Sequence, residues 1–513
     1  MTRPLSIGLL LAGVLAGPTV AGWSQQEPVD ATMVARIRDE GLNRSQVGGM
    51  FTMLVDRIGP RLAGSKEYLR AAEWARDRMT EWGFANVRLE PFDFSRGWTL
   101  EQFSIEMVSP RYMPLVGFPE AWSPSTAGPE VSQVVTVAGK SPEEVEAMQG
   151  TLKGAAVLQM PAVDNFIRTD RVQPTLEPEP AAAAEAGRGR GDAGRGNQGG
   201  RQGGRGQRGA GGTPSPAERI RTAMTNGGAT VLLRPSRGEH GTLFVQAGSR
   251  EIAGDRLPRV VLIGEHYNLL SRLVALGENV QVRVNVQARL LDDPQTHNVI
   301  GEIPGVDPKI GAEVVMLGAH LDSWHTAVGA TDNADGAAVA LEAFRILKST
   351  GIRPRRTLRL ALWGAEEQGL LGSRAYVARH LAGDENAEAR QRMSVYFNID
   401  PGKGPIYGWF LQGNEAVRPI FDAWLAPFQD LGARSNVIQN IGSTDHLSFI
   451  NVGVPGFNPV QDYVDYDVRE HHTNVDTPER VKIDDLKQNA VILAAFVYHA
   501  AMRDAMLPSD IRK

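Results

Sequence analysis

The chain has 513 residues, 42% of them hydrophobic, which is enough for a large buried core and for two or three domains rather than a disordered polymer. Its net charge of -5 gives no global reason to expect nucleic acid or an anionic membrane as a partner. The absence of cysteine excludes disulfides, thiolate zinc sites, cysteine nucleophiles and lipidated cysteine, so any metal must be held by His, Asp and Glu.

In chain order, the first segment, "MTRPLSIGLLLAGVLAGPTVAGW", carries Arg3, an apolar run from about Leu5 to Ala16, then small residues at Thr19 and Ala21. That layout is a secretory signal, expected to be cleaved within residues 1–22 and to deliver a secreted or periplasmic protein. No later segment approaches the roughly 20 apolar residues of a spanning helix. Residues 30–111 form the next unit. Asp30 to Gly41 and Ser45 to Ile58 read as short amphipathic helices, and Ser65 caps a third that stops at Gly83. "ANVRLEPFDF" follows as a strand.

Between residues 112 and 290 the texture changes to short strands separated by Gly and Pro, a β-rich insertion. "KGAAVLQM" and "GGATVLLR" are buried runs, while "VQVRVNVQ" alternates, with Val280, Val282, Val284 and Val286 on one face. Inside this region a Gly/Arg/Gln tract, residues 177–216, has too little apolar content to offset chain entropy and is expected to be a disordered surface loop. Arg-Gly tracts can bind nucleic acid, but this one lacks interleaved aromatic residues, so no nucleic-acid partner is expected.

From residue 291 to about 510 apolar strands alternate with helices: "EVVMLGAH", a helix Gly336 to Lys348, "TLRLALW", a helix from about Ser373, "SVYFNID", "VPGFNPV" and a last helix from Ile483. The fold class expected is α/β, a mostly parallel mixed sheet with helices on both faces. Ligands of such sheets gather at the carboxyl ends of the strands.

Three of these strands end in a metal-capable residue: His320, the adjacent Glu366 and Glu367, and Asp400. Asp332 lies just before a helix capped by Asp335, and "EHHTNVDT" supplies His471 and His472. Desolvating so many carboxylates together is prohibitive without cations. Imidazole and carboxylate donors without thiolate suit a pair of divalent ions of the zinc type, about 3.5–4 Å apart. Zinc is the metal expected, with manganese and cobalt as alternatives.

"GAHLDSW", "TDNADG", "ALWGAEEQGLLGS", "NIDPG" and "HHTNVDT" resemble the M28 co-catalytic zinc peptidases, and within them the plasma glutamate carboxypeptidase branch. The likeness runs from about Asp30 to Met506, interrupted by the Gly/Arg tract, and the insertion resembles a protease-associated domain. Residue by residue, it implies that His320 and Asp400 hold one zinc, Glu367 and His472 the other, that Asp332 bridges them and that Glu366 is the general base. Asp322 is expected to accept the second N–H of the His320 ring. His471, Asp445, His446, Tyr463 and Tyr466 are candidates for substrate contacts, and His325 falls outside the pattern. The function implied is exopeptidase action on dipeptides or short peptides. The competing expectations are a non-catalytic receptor-like or scaffold protein of the same fold and a one-zinc acyl transferase of the glutaminyl cyclase type. A homodimer is the expected assembly on the frequency of twofold association alone.

Overall fold

A computed structural model describes residues 27–176, 214–246, 257–293 and 295–511. The expected signal segment lies outside the described residues, as does the Gly/Arg tract as far as residue 213. The tract's expected end at residue 216 is too late: Ser215 already caps the helix Pro216–Asn226, accepting from the Glu218 N–H at 3.3 Å.

Seven strands make the first sheet, in the order Ala85–Asp93, Gln295–Ile303, Thr357–Trp363, Val314–His320, Met393–Asn398, Gly456–Asp462 and Lys403–Phe410. The four from Thr357–Trp363 to Gly456–Asp462 run parallel, whereas the pairings at both flanks are antiparallel. The sheet is therefore mixed, with a parallel centre. Val315, Leu317 and Ala319 pack into a core shared with the helices Ala31–Asn43, Lys66–Glu81, Asp335–Ser349 and Ile483–Met502. Val314 and Met316 face the opposite side, towards Tyr376, Val377 and Phe449 of two further helices. Burial on both faces is why this strand reads as an unbroken apolar run.

Eight strands form a second sheet, ordered Met113–Pro114, Gly97–Ser109, Gln281–Leu291, Glu130–Thr136, Ala155–Leu158, Val231–Pro235, Arg259–Leu262 and Gly117–Pro119. It starts before the boundary at 112 that texture suggested, because Gly97–Ser109 already pairs with Gln281–Leu291. In and just before that partner strand Val280, Val282, Val284 and Val286 are all buried, but the alternation is incomplete, because Asn285 on the other face is buried as well. The two sheets meet through Leu62, Phe94, Trp98, Trp122, Trp324 and Ala365, close to the rim where the His320 strand ends.

Candidate metal centre

Each parallel strand of the first sheet delivers a polar side chain to the same edge. His320 is the last residue of its strand, Glu366 and Glu367 follow Trp363 by a short turn, and Asp400 lies just beyond Asn398. The fourth parallel strand runs into the loop that carries His471 and His472. Asp332 sits in the tight turn Ala330–Ala334 that opens the helix Asp335–Ser349. Asp335 does not cap that helix as expected; it is the first helical residue, and its carboxylate accepts the Gly336 N–H at 2.5 Å.

The five donors converge. His320 Nε2 is 3.2 Å from Asp332 Oδ1 and 3.7 Å from Asp400 Oδ1. On the other side, His472 Nε2 is 2.8 Å from Glu367 Oε2 and 3.4 Å from Asp332 Oδ2. Asp332 thus turns one carboxylate oxygen to each imidazole. Asp332 Oδ2 and Glu367 Oε1 are buried and find no hydrogen-bond donor among the described residues. Buried acceptors without donors, facing imidazole nitrogens, fit divalent cations.

Two outer carboxylates hold this arrangement. The His320 Nδ1–H donates to the backbone carbonyl of Asp322 at 3.0 Å, with the Asp322 carboxylate farther off at 3.7 Å, so the expected side-chain contact is replaced by a main-chain one. The carboxylate instead accepts the N–H groups of Glu366 (3.1 Å) and Glu367 (3.3 Å). Asp476, which sequence reasoning passed over although it lies inside "HHTNVDT", accepts from the Thr331 N–H at 2.7 Å and the Asp332 N–H at 3.1 Å. Arg61 was also missed. Fully buried, it donates to the carbonyls of Gly59 (3.0 Å), Leu321 (2.8 Å), Val328 (2.7 Å) and Gly329 (2.9 Å), tying together the loops after His320 and before Asp332.

The electrostatics are those of a site short of positive charge. Burial raises Glu366 and Glu367 well above the usual carboxylate range, and neighbouring carboxylates push the same way. Burial also lifts Asp476 to about 7. For His320 burial works against protonation, but Asp400, Glu366, Asp322 and Asp332 outweigh it and hold the ring well above its ordinary value. Burial would likewise raise Asp332, yet the adjoining His320 and His472 take it below the usual range. Arg61 drops to about 10 because burial outweighs the pull of Asp476, Asp322, Asp332 and Asp335.

The remaining candidates divide. His471 stacks on His472 with centroids 3.6 Å apart and on Tyr466 at 5.4 Å. Tyr463 and Tyr466 lie under the Arg171 guanidinium at 4.9 and 5.2 Å, and Arg171 itself is bound to Asp467. Asp445 is buried and lifted to about 7 by burial and the charge of Asp400. His446 turns away to its own loop, its Nε2 meeting the Ile441 carbonyl at 3.1 Å and Gln412 at 2.9 Å. His325, off-pattern in the sequence, is a buried packing residue between the sheets: its ring lies 5.2 Å from Trp98 and 5.6 Å from Phe118.

A parallel-centred sheet whose carboxyl rim gathers two imidazoles and several buried carboxylates defines a metal-dependent hydrolase. The profile of Peptidase family M28 matches residues 298–497, the segment that carries all five donors. Over that segment the chain is similar to the M28 metallopeptidases. Carboxypeptidase Q of Bos taurus is 27% identical over 458 residues, spanning 89% of this chain and 85% of that protein. Among solved structures, a Peptidase M28 precursor from Shewanella amazonensis SB2B shares the fold with a TM-score of 0.65 at 23% identity, over 93% of this chain and 98% of that one. BSAP, a zinc aminopeptidase from Bacillus subtilis, does so with a TM-score of 0.57 at 18% identity, over 89% and 95%.

Proposed function

We propose that this chain is an exported exopeptidase that cleaves dipeptides or short peptides, using two zinc ions and Glu366 as general base. The observation that carries the reading is the Asp332 carboxylate, 3.2 Å from His320 on one side and 3.4 Å from His472 on the other. Asp332 would bridge, with His320 and Asp400 completing one ion's protein ligands and Glu367 and His472 the other's. Bound there, the ions would lower the pKa of a water molecule and polarise the scissile carbonyl. Glu366 accepts the water's proton and passes it to the leaving amine, a task suited to a carboxylate made more basic by burial. Asp322 steers both glutamates by holding their main-chain N–H groups, so that the two neighbouring side chains serve different partners. A scaffold protein or a one-zinc transferase would leave part of this donor set without use. We read the body around the second sheet, residues 97–291, as an inserted domain of the protease-associated kind. Export rests on the N-terminal segment; among the described residues no helix is long and apolar enough to cross a membrane.

Digestion of a peptide library, with N- or C-terminally blocked controls and with or without chelator, tests catalysis, metal need and terminus together. Glu366→Gln is expected to keep two metals and lose roughly 10²–10⁴ in turnover. Glu367→Ala is expected to lower metal content. Near-normal turnover in the first, or an unchanged two-metal stoichiometry in the second, contradicts the roles given.

A further inference from the structure

His472 is reached from the second sheet's body. Its Nε2 faces Glu367 and Asp332, while its Nδ1 lies 2.8 Å from the side-chain amide of Gln246. An imidazole that offers the Nε2 lone pair to a cation must carry its proton on Nδ1, so the group at 2.8 Å has to be an acceptor. Amide nitrogen and oxygen are interchangeable by a flip, and only the flip that presents Oε1 satisfies the ring.

Gln246 is not an isolated visitor. The segment before it lies along the His472 loop: Phe244 forms a β-bridge with Thr473, Leu243 N–H donates to Asn474 Oδ1 at 2.7 Å, and Asn474 N–H returns to the Leu243 carbonyl at 3.1 Å. Arg469, from the same loop, donates to the Glu239 carbonyl at 3.1 Å and to Thr242 Oγ1 at 3.0 Å. His472 itself has a left-handed backbone, φ 63°, which a residue with a Cβ adopts only when its surroundings impose it.

We propose that Gln246 is a positioning residue of the metal centre: its amide oxygen accepts the His472 Nδ1–H and fixes the ring's orientation towards the second ion. The inference rests on the two-metal reading above. It makes the second sheet's body part of the site rather than a neighbour. Such outer partners are worth about 10–100-fold in metal affinity. Gln246 is solvent-exposed, where water can partly replace the amide, so the lower end is expected.

The test is a zinc titration of metal-stripped protein against a chelating dye, for the wild type and for Gln246→Leu, Gln246→Ala and Gln246→Glu. Expected is about a tenfold weaker affinity for one of two ions in the Leu and Ala variants, with Glu restoring or exceeding wild type because a carboxylate accepts the same hydrogen bond. Metal-free melting temperatures should stay together across the set. Unchanged zinc affinity in Gln246→Leu overturns the proposal, as does an equal loss in Gln246→Glu, which would mark a packing role. A wild type that binds no zinc removes the metal reading itself and the proposal with it.

Discussion

His325 stands between the sheets with its Nε2 donating to the Pro119 carbonyl at 2.8 Å, and burial drops its pKa to about 4. An unfolded histidine titrates near 6.5. Between these values the unfolded chain holds a proton that the folded chain refuses, so stability is fully present above about 6.5 and is lost as pH falls towards 4. The loss from this one residue is on the order of 3 kcal/mol. Melting curves from pH 7 to 4.5 should therefore slope less steeply in His325→Gln than in the wild type; parallel slopes would refute the assignment. Arg61 is the other residue whose environment sets a measurable cost. Arg61→Lys cannot span both loops, and leaving two carbonyls without donors costs about 2–6 kcal/mol at 1–3 each. A urea midpoint within error of wild type would show that those contacts carry little.

At the scale of elements, the strand Val314–His320 is the axis of the site. Gly318 lies against a buried network: the Trp363 Nε1–H donates to the Tyr396 hydroxyl at 2.7 Å, that hydroxyl to Asn398 Oδ1 at 2.7 Å, and Asn398 Nδ2 to Asn458 Oδ1 at 3.0 Å. A Cβ at Gly318 would meet the Tyr396 hydroxyl and come within 2.8 Å of Trp363 Nε1. Gly318→Ala is expected to destabilise by about 1–3 kcal/mol and to displace the strand end that carries His320. Denaturant unfolding measures the first effect, and a zinc titration the second. The strand's extent was legible because an unbroken non-polar run from Val314 to Ala319 needs only local pattern. The network was not, since its members come from three different strands and each taken alone is an ordinary polar residue. The antiparallel edge strand Lys403–Phe410 escaped notice for a related reason: its glycines and proline interrupt the pattern, and only pairing with Gly456–Asp462 makes it a strand.

For the whole molecule, the second sheet approaches the site along two segments. One ends at Gln246. The other passes Arg171, which is bound to Asp467, and Gln173, whose side chain accepts the Tyr463 N–H at 3.0 Å, before reaching Leu176 at the edge of the Gly/Arg tract. The chain resumes at the Ser215-capped helix. Both ends are anchored without the tract, so deletion of residues 181–213 should leave kcat/KM within about twofold and abolish any RNA affinity the tract confers. A loss of tenfold or more in peptide cleavage would assign the tract to the site.

By itself the sequence determined the apolar parallel strands of the first sheet, the helices Asp335–Ser349 and Ile483–Met502 that cover them, and the inventory of donors at the strand ends. Hydrophobic periodicity and capping depend on neighbours a few residues away. The tertiary structure alone decided that Asp332 turns an oxygen to each of two imidazoles, that Asp322 grips the glutamates through its carboxylate and His320 through its carbonyl, and that Arg61 and Gln246 reach the site at all. Those contacts join residues tens to hundreds of positions apart, or turn on which of a residue's polar groups faces which partner. Only the packing of the two sheets and the loops between them sets such distances.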